Sequence, residues 1–390
     1  MPHRVLTSST FAVGTAFDGA AGELAASLER SLSPCAPNLV LFFAHPRHDF
    51  AALASSIQRR FPDAISAGCT TMGEIGPEGL TQGAVVGIGL GPPCRAAAVM
   101  VPELCAFRFE DGARLASELR AQLGLERGGL VPGRHVLVTL TDGLSGMEEI
   151  LVASLGASLS MVPLVGGSAA DAERFQRTHV SLGGQARVGA AVVLLLEPSV
   201  PFHAFQLHHY RPTSGRVVVT RAEPKRRLVM RLNGRPAAHV LAELYGIGLD
   251  ELRRGGLAEL SRHGLQFGFH VGDSYYMRSV MTLQGDDLLL GGAVEEGAIL
   301  TVMRAGDIVQ ATLDGVLAAE GALGSAAAVM LAFSCGGRLL EAHTKGVVDQ
   351  FQAATCRLPC AGFTTYGEQF GPMQVNHTLT ALMLGVPLGQ

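Results

Sequence analysis

Two copies of one short motif place hydroxyls and a carboxylate beside a glycine, one copy near each end of the chain. The motif reads Gly-x-Thr-Thr-x-Gly-Glu at residues 68–74 and again at residues 362–368. A glycine followed by hydroxyls at the end of a strand can present backbone N–H groups and hydroxyl donors to a small ligand. The same residues can instead form and cap a tight turn. The candidate ligand-binding residues of the motif are Thr70, Thr71, Thr364, Thr365 and Glu368.

The motif glutamates, Glu74 and Glu368, have two interpretations. A carboxylate after the second glycine could bind an amine, or it could tie its own loop by accepting hydrogen bonds from backbone N–H groups. We favour the loop-tying role, because a position duplicated with the module is more often structural.

A thiol and a guanidinium stand at the start of a predicted helix. Cys335 ends an apolar run directly before Gly336-Gly337, and Arg338 follows. The N-terminus of a helix attracts anions and lowers the pKa of a thiol. The pair could bind a carboxylate or support redox chemistry, and a cysteine-dependent enzyme stays one alternative. A small buried residue that lets strand and helix pack is the favoured interpretation for the cysteine, though not for Arg338.

An aromatic hydroxyl and a second guanidinium lie two residues apart on a predicted strand. Tyr276 and Arg278 therefore share one face of that strand. Together they could hold a carboxylate by paired hydrogen bonds. The alternative is a solvated face or one paired within a hairpin. We favour ligand binding slightly, because aromatic residues make up only 6% of the chain.

Histidines are densest in one short segment, at His203, His208 and His209. Any of them could be an axial haem ligand. Most histidines in such a strand are surface or core residues, and this interpretation is favoured. The chain has no Cys-x-x-Cys-His motif, which excludes covalently attached haem.

The composition and the motif search exclude several classes of protein. Gly-x-Ser-x-Gly, Walker, His-Glu-x-x-His and EF-hand motifs are all missing, so no common enzyme signature is present. Hydrophobic residues make up 48% of the chain and the net charge is −4, which is typical of a globular protein that does not bind nucleic acid. No apolar run approaches the roughly 20 residues of a membrane helix. Seven cysteines without a Cys-x-x-Cys pair, and no signal peptide, predict a cytoplasmic protein.

Each motif lies inside a longer repeat. An apolar run and a helical pattern precede each copy, and a polar loop and a second apolar run follow it, over residues 38–88 and 328–384. A weaker third copy spans residues 135–196, with Ser168 at the threonine position and Asp171 near the glutamate position. These repeats predict an α/β fold of two domains, built from duplicated strand-helix-strand modules with mixed sheets.

Other elements follow from local patterns. Short apolar runs separated by turns predict an antiparallel segment after residue 202, with a domain boundary near residues 230–235. A hairpin is predicted at Gly285-Asp286-Asp287, and a hairpin or tight turn at Gly91-Pro92-Pro93. Helices are predicted over residues 21–32, 109–123, 237–245 and 307–323, with one starting near Pro46 and one opening on a capping box at residues 145–148.

Several stretches resemble the FIST family. The stretches GCTTMGEI and VGGSAAD are similar to the FIST N-terminal domain. The stretch YYMRSVMTLQGDDLLLGGAVEEG, residues 333–338, and GFTTYGEQFGP with residues 376–380 are similar to the FIST C-terminal domain. The resemblance implies an N-terminal extension over residues 1–36, a FIST N-terminal domain over residues 37–232 and a FIST C-terminal, ligand-binding domain over residues 233–390.

The resemblance also implies a role. It implies that this chain is a sensory protein that binds a small ligand and acts on a signalling partner, such as the histidine kinase of a two-component system. Stand-alone members include nitric-oxide-sensing haem proteins, so haem b is the cofactor alternative. We call the Gly-x-Thr-Thr and Gly-Gly-Ser turns that end the strands, at residues 68–71, 166–168 and 362–365, the glycine corners. We predict a small acidic ligand, such as an amino acid, bound where these corners converge in the C-terminal domain. Assembly into a homo-oligomer is left open.

Overall fold

Helices and strands alternate along most of the chain. The computed structural model describes residues 8–125, 129–255, 264–272 and 274–387. Helices with described bounds are α1 (Ala21–Leu32), α2 (Phe50–Arg60), α3 (Asp111–Gln122), α4 (Glu148–Ser158), α5 (Ala237–Tyr245), α6 (Ile308–Leu323), α7 (Gly336–Thr344) and α8 (Val348–Thr355). Helix α2 buries Leu53 and Ile57 on one face, and Asp49 caps it by accepting from Ala52 N.

Within the described residues, three six-stranded sheets are built around the three copies of the module. In spatial order, sheet 1 contains β1 (Phe11–Ala16), β6 (Val85–Leu90), β2 (Leu39–Ala44), β3 (Ile65–Thr70), β10 (Val180–Leu182) and β11 (Gln185–Arg187). Sheet 2 contains β25 (Met373–Val375), β24 (Glu368–Phe370), β9 (Leu164–Ser168), β8 (Val136–Thr141), β12 (Ala191–Glu197) and β7 (Arg95–Val101). Sheet 3 contains β13 (Phe202–Leu207), β26 (Leu379–Gly385), β22 (Ala327–Cys335), β23 (Cys360–Thr365), β4 (Gly73–Gly76) and β5 (Gly79–Thr81).

The three modules exchange hairpins in a closed cycle. The hairpin β4–β5 leaves the first module and pairs with β23 of the third. The hairpin β24–β25 leaves the third module and pairs with β9 of the second. The hairpin β10–β11 leaves the second module and pairs with β3 of the first. Each sheet is therefore completed by a neighbouring module, so the third module cannot be separated from the other two without opening sheets.

A shared core lies where the three sheets face one another. Phe43 of the first module stacks on Phe363 of the third at 5.0 Å between ring centroids, and Phe333 meets both rings edge-on. Gly167 occupies the motif position that holds Cys69 and Phe363 in the other copies. A Cβ at Gly167 would lie 3.0 Å from the Phe333 ring, so the glycine makes room for these aromatic rings.

A fourth sheet, entirely antiparallel, is inserted between the second and third modules. It contains β18 (Ser274–Arg278), β17 (Leu265–Val271), β21 (Ile299–Ala305), β14 (Tyr210–Glu223), β15 (Leu228–Leu232), β20 (Asp287–Leu290) and β19 (Val280–Gln284), with β16 (Arg235–Pro236) paired to β15. This sheet packs its own core against α5. The ion pairs of Arg227 with Glu148 and Glu149, each 2.7 Å, fasten it to the start of α4.

The predicted α/β class with duplicated modules and mixed sheets is confirmed, because each module joins a parallel strand pair to antiparallel neighbours. The helices predicted over residues 21–32, 237–245 and 307–323 and the hairpin at residues 285–287 are confirmed. No helix of the described segments is both long and apolar enough to cross a membrane.

Several local predictions are wrong, each for a physical reason. Helix α2 begins at Phe50 and not near Pro46, because Asp49 supplies the cap. The capping box at residues 145–148 does not form, since the Ser145 hydroxyl donates to the carbonyl of Asp142. The runs on either side of residues 91–93 do not form a hairpin, because β6 and β7 belong to different sheets; the tight-turn alternative is confirmed, since Cys94 N donates to the Gly91 carbonyl at 3.0 Å. Strand β1 was not predicted, and it makes residues 11–16 part of sheet 1.

Candidate functional site

The three glycine corners meet and hydrogen-bond to one another in a ring. Each ring bond joins a backbone N–H to a carbonyl of the next corner at a matching position of the motif. The three bonds are Met72 N to Thr364 O at 3.0 Å, Tyr366 N to Ser168 O at 3.2 Å and Ala170 N to Thr70 O at 3.0 Å. The corners therefore form one junction with approximate threefold symmetry, and the structure brings together the residues that the repeat suggested.

The motif glutamates tie the corners from inside the protein. Glu368 is fully buried and accepts from the Thr365 hydroxyl at 2.5 Å and from the Thr378 hydroxyl at 2.6 Å. Glu74 repeats the arrangement, accepting from Thr71 at 2.5 Å and from Ala84 N at 2.9 Å. Burial raises the pKa of each carboxyl to about 7, although the hydrogen bonds oppose the shift. The geometry agrees with the loop-tying interpretation and leaves Thr71 occupied by Glu74.

A cavity of about 340 Å³ opens between this junction and the inserted sheet. One side is formed by the corner residues and the start of α7, and the other by β17 and β19 with the residue before it. Its lining residues are Met72, Glu173, Phe175, Gln266, Ser279, Val280, Met281, Cys335, Gly336, Gly337, Leu340, Thr365, Tyr366 and His377. A molecule in this cavity would touch both FIST-like halves of the chain.

Hydrogen-bond donors converge at one end of this ligand cavity. Gly336 and Gly337 begin α7, and the first N–H groups of a helix have no partner within it. Gln266 is 3% exposed and its Oε1 accepts from Val280 N, which leaves its Nε2 with no acceptor in the part of the chain that is described. Such a set of donors suits a carboxylate or another group with two oxygen acceptors.

His377 stands beside these donors and connects the third module to the inserted sheet. Its Nδ1 is hydrogen-bonded to the Ser279 hydroxyl of the inserted sheet. Burial lowers the pKa of His377 to about 4, so the ring is neutral at pH 7. With Ser279 as the donor to Nδ1, the ring proton lies on Nε2, which faces the backbone of Gly337 at the start of α7.

The rest of the cavity wall is mostly apolar. Phe175 stacks on Tyr366 with the centroids 4.4 Å apart and the planes 9° from parallel. The Tyr366 hydroxyl donates to Asp171 at 2.5 Å, which fixes the stack against the loop of the second module. Met72 and Leu340 face the same space, and Glu173 carries an exposed carboxylate there.

Cys335 lines the cavity, but its thiol is poorly suited to nucleophilic chemistry. Burial raises the pKa of the thiol well above its ordinary value, and the nearby Glu368 raises it further. Arg338 lies one turn along α7, fully buried and away from the cavity lining, and donates to the Thr312 hydroxyl at 2.6 Å. Burial lowers the pKa of Arg338 to about 10, and its guanidinium lies over the Phe351 ring.

The structure does not bring Tyr276 or Arg278 to this cavity. Arg278 is 5% exposed and donates to the carbonyls of Met277, Ala293 and Gln374 at 3.0–3.2 Å. Its donors are thus used in holding the inserted sheet to β25. Tyr276 pairs with Phe269 across the β17–β18 hairpin.

The motif threonines have separate positions. Thr365 lines the ligand cavity, whereas Thr70 lines a second cavity beside α2. The Thr364 carbonyl takes part in the ring of corner bonds, and its side chain lines neither cavity.

The candidate haem histidines lie together along a third cavity, of about 860 Å³, between β13 and α6. His209 is buried and its Nε2 donates to both oxygens of Glu341 at 2.9 Å. Burial lowers the pKa of His209, and the Glu341 carboxylate opposes this shift. His203 stacks on Phe205, and His208 keeps an Nδ1 with no partner in the described chain.

Several cavity residues were not singled out by sequence reasoning, among them Gln266, Ser279, Tyr366 and His377. The repeated motif contains Tyr366 at the position of Met72, and this repetition was the available signal. His377 lies in the stretch 376–380 that carries the family resemblance. Gln266 and Ser279 are single polar residues in strand segments, and no periodic pattern marks them.

The fold is α/β, and a cavity of about 340 Å³ lies between the corners of the three modules and the inserted sheet. The FIST N domain model matches residues 38–235 and the FIST C domain model matches residues 237–371. The chain therefore belongs to the FIST family, whose domains are associated with sensory signal transduction and the binding of small ligands.

Other comparisons add little to this assignment. No curated protein matches the chain in sequence. Among solved structures, the PurLQS complex from Thermotoga maritima is similar at 10% identity over 98% of this chain and 73% of that chain, with a TM-score of 0.19. PurL from T. maritima complexed with AMPPCP is similar at 12% identity over 98% of this chain and 74% of that chain, also with a TM-score of 0.19. Structural similarities this weak support no conclusion about fold or function.

Proposed function

We propose that this chain is a sensory protein that binds an amino acid with an apolar side chain in the ligand cavity and acts on a signalling partner such as a histidine kinase. The observation that carries the proposal is the cavity itself, which lies at the junction of the three corners and the inserted sheet. Its volume of about 340 Å³ is in the lower part of the range of small-molecule sites.

The carboxylate of the ligand would meet the donors at one end of the cavity. The N–H groups that open α7, the Gln266 amide and the neutral His377 ring all lie on this wall. Hydrogen bonds to a charged group contribute about 1.5–3 kcal/mol each. Two or three of them would hold a carboxylate without a cationic side chain in the lining.

The rest of an amino acid matches the remaining wall. An apolar side chain would pack against Met72, Leu340 and the Phe175–Tyr366 stack. The exposed Glu173 carboxylate would face the ammonium group. A ligand with an acid at one end, an amine beside it and an apolar body therefore uses every part of the lining.

Signalling follows from the position of the cavity between two halves. Among the described residues, the contacts that join the inserted sheet to the third module at this point include Ser279 with His377, the Arg278 guanidinium with the Gln374 carbonyl and the Asn376 amide with the Gly291 carbonyl. A ligand that bridges both sides stabilises the arrangement in which they are closest, and a partner can bind the two arrangements differently. The proposed partner is tested by measuring the autophosphorylation rate of a candidate kinase in the presence of this chain, with and without ligand. A rate that changes neither with the chain nor with the ligand would contradict the proposed signalling role.

Calorimetry with matched ligands tests the proposed ligand. We expect leucine to bind at least about tenfold more tightly than leucinamide, because the amide replaces the carboxylate that accepts the convergent hydrogen bonds. Glu173→Gln should weaken leucine by a few-fold, since Glu173 is exposed and an exposed ion pair is worth about 0.2–1 kcal/mol.

The control ligand is 4-methylpentanoate, which has the acid and the side chain of leucine without its amine. Glu173→Gln should leave its affinity unchanged. Absence of heat for leucine, methionine and phenylalanine with correctly folded protein would contradict the proposed ligand class.

A haem-binding sensor is the second candidate, favoured by the three histidines along one cavity. The residues there do not fit haem well, because His209 is committed to Glu341 and the wall carries the carboxylates of Asp307 and Asp314. An apolar slot for a porphyrin is needed beside an axial nitrogen. We expect purified protein titrated with haem to show no shifted Soret band; a band lost in His208→Ala would restore this candidate.

A further inference from the structure

The corner of the first module borders a second cavity, of about 320 Å³. It lies beside the start of α2, as the ligand cavity lies beside the start of α7, and the loop of the second module closes it. Its lining residues are Pro46, His48, Asp49, Phe50, Ala51, Thr70, Asp171, Arg174, Gln176, Arg177 and His179. The approximate threefold symmetry of the corners thus repeats the cavity but replaces its apolar wall with polar and cationic side chains.

Two guanidinium groups in this wall are unpaired. Arg174 and Arg177 form no ion pair and no side-chain hydrogen bond with any other residue of the described ranges. Their positive charges lower the pKa values of two nearby histidines. Burial lowers the pKa of His179, and Arg177 lowers it further; Arg174 adds to the lowered pKa of His45.

The carboxylates in the same wall are already satisfied by the protein. Asp49 caps α2 by accepting from Ala52 N. Asp171 accepts from the backbone N–H groups of residues 175, 176 and 177 at 2.7–2.8 Å and from the Tyr366 hydroxyl. Neither carboxylate pairs with Arg174 or Arg177 in the described structure, so both guanidinium groups remain available to a ligand.

A buried hydroxyl adds a donor inside the cavity. Thr70 is 1% exposed and its Oγ1 accepts from His179 N at 3.0 Å. No acceptor for the Thr70 hydroxyl proton exists in the part of the chain the structure describes. A buried donor without an acceptor is costly unless a ligand or water supplies one.

We infer that this cavity is a binding site for a small oxyanion of the phosphate class. Planar guanidinium groups bind phosphate oxygens by paired hydrogen bonds, and two of them line this cavity. The Thr70 hydroxyl would bind the innermost oxygen. The site is separate from the proposed amino-acid site and would hold a phosphate group whether or not that proposal is correct.

One loop forms a wall of both cavities. Glu173 and Phe175 line the ligand cavity, whereas Arg174 and Arg177 line the anion cavity. Ala172, Glu173 and Phe175 have φ between 52° and 67°, a left-handed conformation that is rare for residues other than glycine. Phosphate bound behind this loop should therefore slow amide hydrogen exchange in residues 172–177.

The experiment is calorimetric titration of the full chain with inorganic phosphate at constant ionic strength. We expect saturable binding, weakened about tenfold in Arg177→Gln and about a hundredfold in the double variant Arg174→Gln/Arg177→Gln. Arg216→Gln, which removes an exposed arginine of β14, is the matched control and should bind as the unmodified chain does.

The outcomes of the titration either support or overturn the phosphate site. Phosphate binding lost in the double variant, retained in Arg216→Gln and accompanied by slower exchange in residues 172–177 supports the site. Equal heats from phosphate and from chloride, or equal phosphate affinity in all variants, would overturn it. If the double variant unfolds, Thr70→Ser serves as the second variant, because it keeps the hydroxyl and should still bind phosphate. A folded Thr70→Ser protein that does not bind phosphate would also overturn the site.

Discussion

Gly337→Ala should reduce ligand affinity by at least about tenfold while leaving the fold intact. A Cβ at residue 337 would lie 2.6 Å from Nε2 and 2.8 Å from Cε1 of His377, so the ring must move. The new methyl group would also cover the N–H groups that open α7, where the ligand carboxylate is proposed to bind. Losing one hydrogen bond to a charged group is worth about 1.5–3 kcal/mol, or tenfold or more in affinity.

The same substitution elsewhere provides a matched control. Gly321 lies in α6 with open space around its Cβ position, so Gly321→Ala adds a methyl group without a contact. It should raise the free energy of unfolding by up to about 1 kcal/mol, the difference in helix propensity, and leave binding unchanged. Isothermal calorimetry measures the ligand affinity of both variants. Unchanged affinity in Gly337→Ala would place the ligand elsewhere.

The repeat predicted the fold class because a strand-helix-strand unit is a local structure. The apolar runs 38–43 and 328–333 and the helices after them carry their own periodic patterns. Hairpin exchange could not be predicted in this way. Strand β4 pairs with β23, almost 300 residues later, and a short strand pattern does not say which sheet receives it. Strand β1, with the glycine at residue 14, is too short to identify without its partner.

The candidate site was predictable where the residues belong to the repeat. Thr365 and the end of β22 at Cys335 were expected at a corner, and the structure places both in the ligand cavity. Burial of charged groups cannot be read from residue type. Arg278 and Arg338 look alike in sequence to ligand-binding arginines, yet Arg278 donates to backbone carbonyls. Arg338 is fully buried, with one nitrogen donating to the Thr312 hydroxyl and two without a partner in the described chain. His377 acquires its role from Ser279, about a hundred residues earlier, through a contact that only folding creates.

The buried corner glutamates should make stability depend on pH with an unusual sign. Glu74 and Glu368 have an ordinary pKa of 4.5, which burial raises to about 7 in the folded protein. The folded state therefore holds these two protons more tightly than the unfolded state. Their stabilising contribution is complete below pH 4.5 and is lost as the pH rises through 7. At about 1.4 kcal/mol per pH unit, each carboxyl accounts for about 3 kcal/mol between these limits.

Glutamine variants separate this effect from the other titrating groups. The amide of Glu368→Gln or Glu74→Gln is neutral at every pH, whereas His377 and Glu341 titrate equally in variant and parent. The difference in unfolding free energy, variant minus parent, should thus be about 2.5 kcal/mol more favourable at pH 8 than at pH 5 for each substitution. Urea unfolding at both values measures it, with the exposed Glu118 of α3 replaced by glutamine as the control. A difference that stays the same at both pH values would mean that the corner carboxylates are ionised throughout, held by their threonine and backbone donors. The corners would then be fixed by charge at every pH, and ligand binding would gain no pH dependence from them.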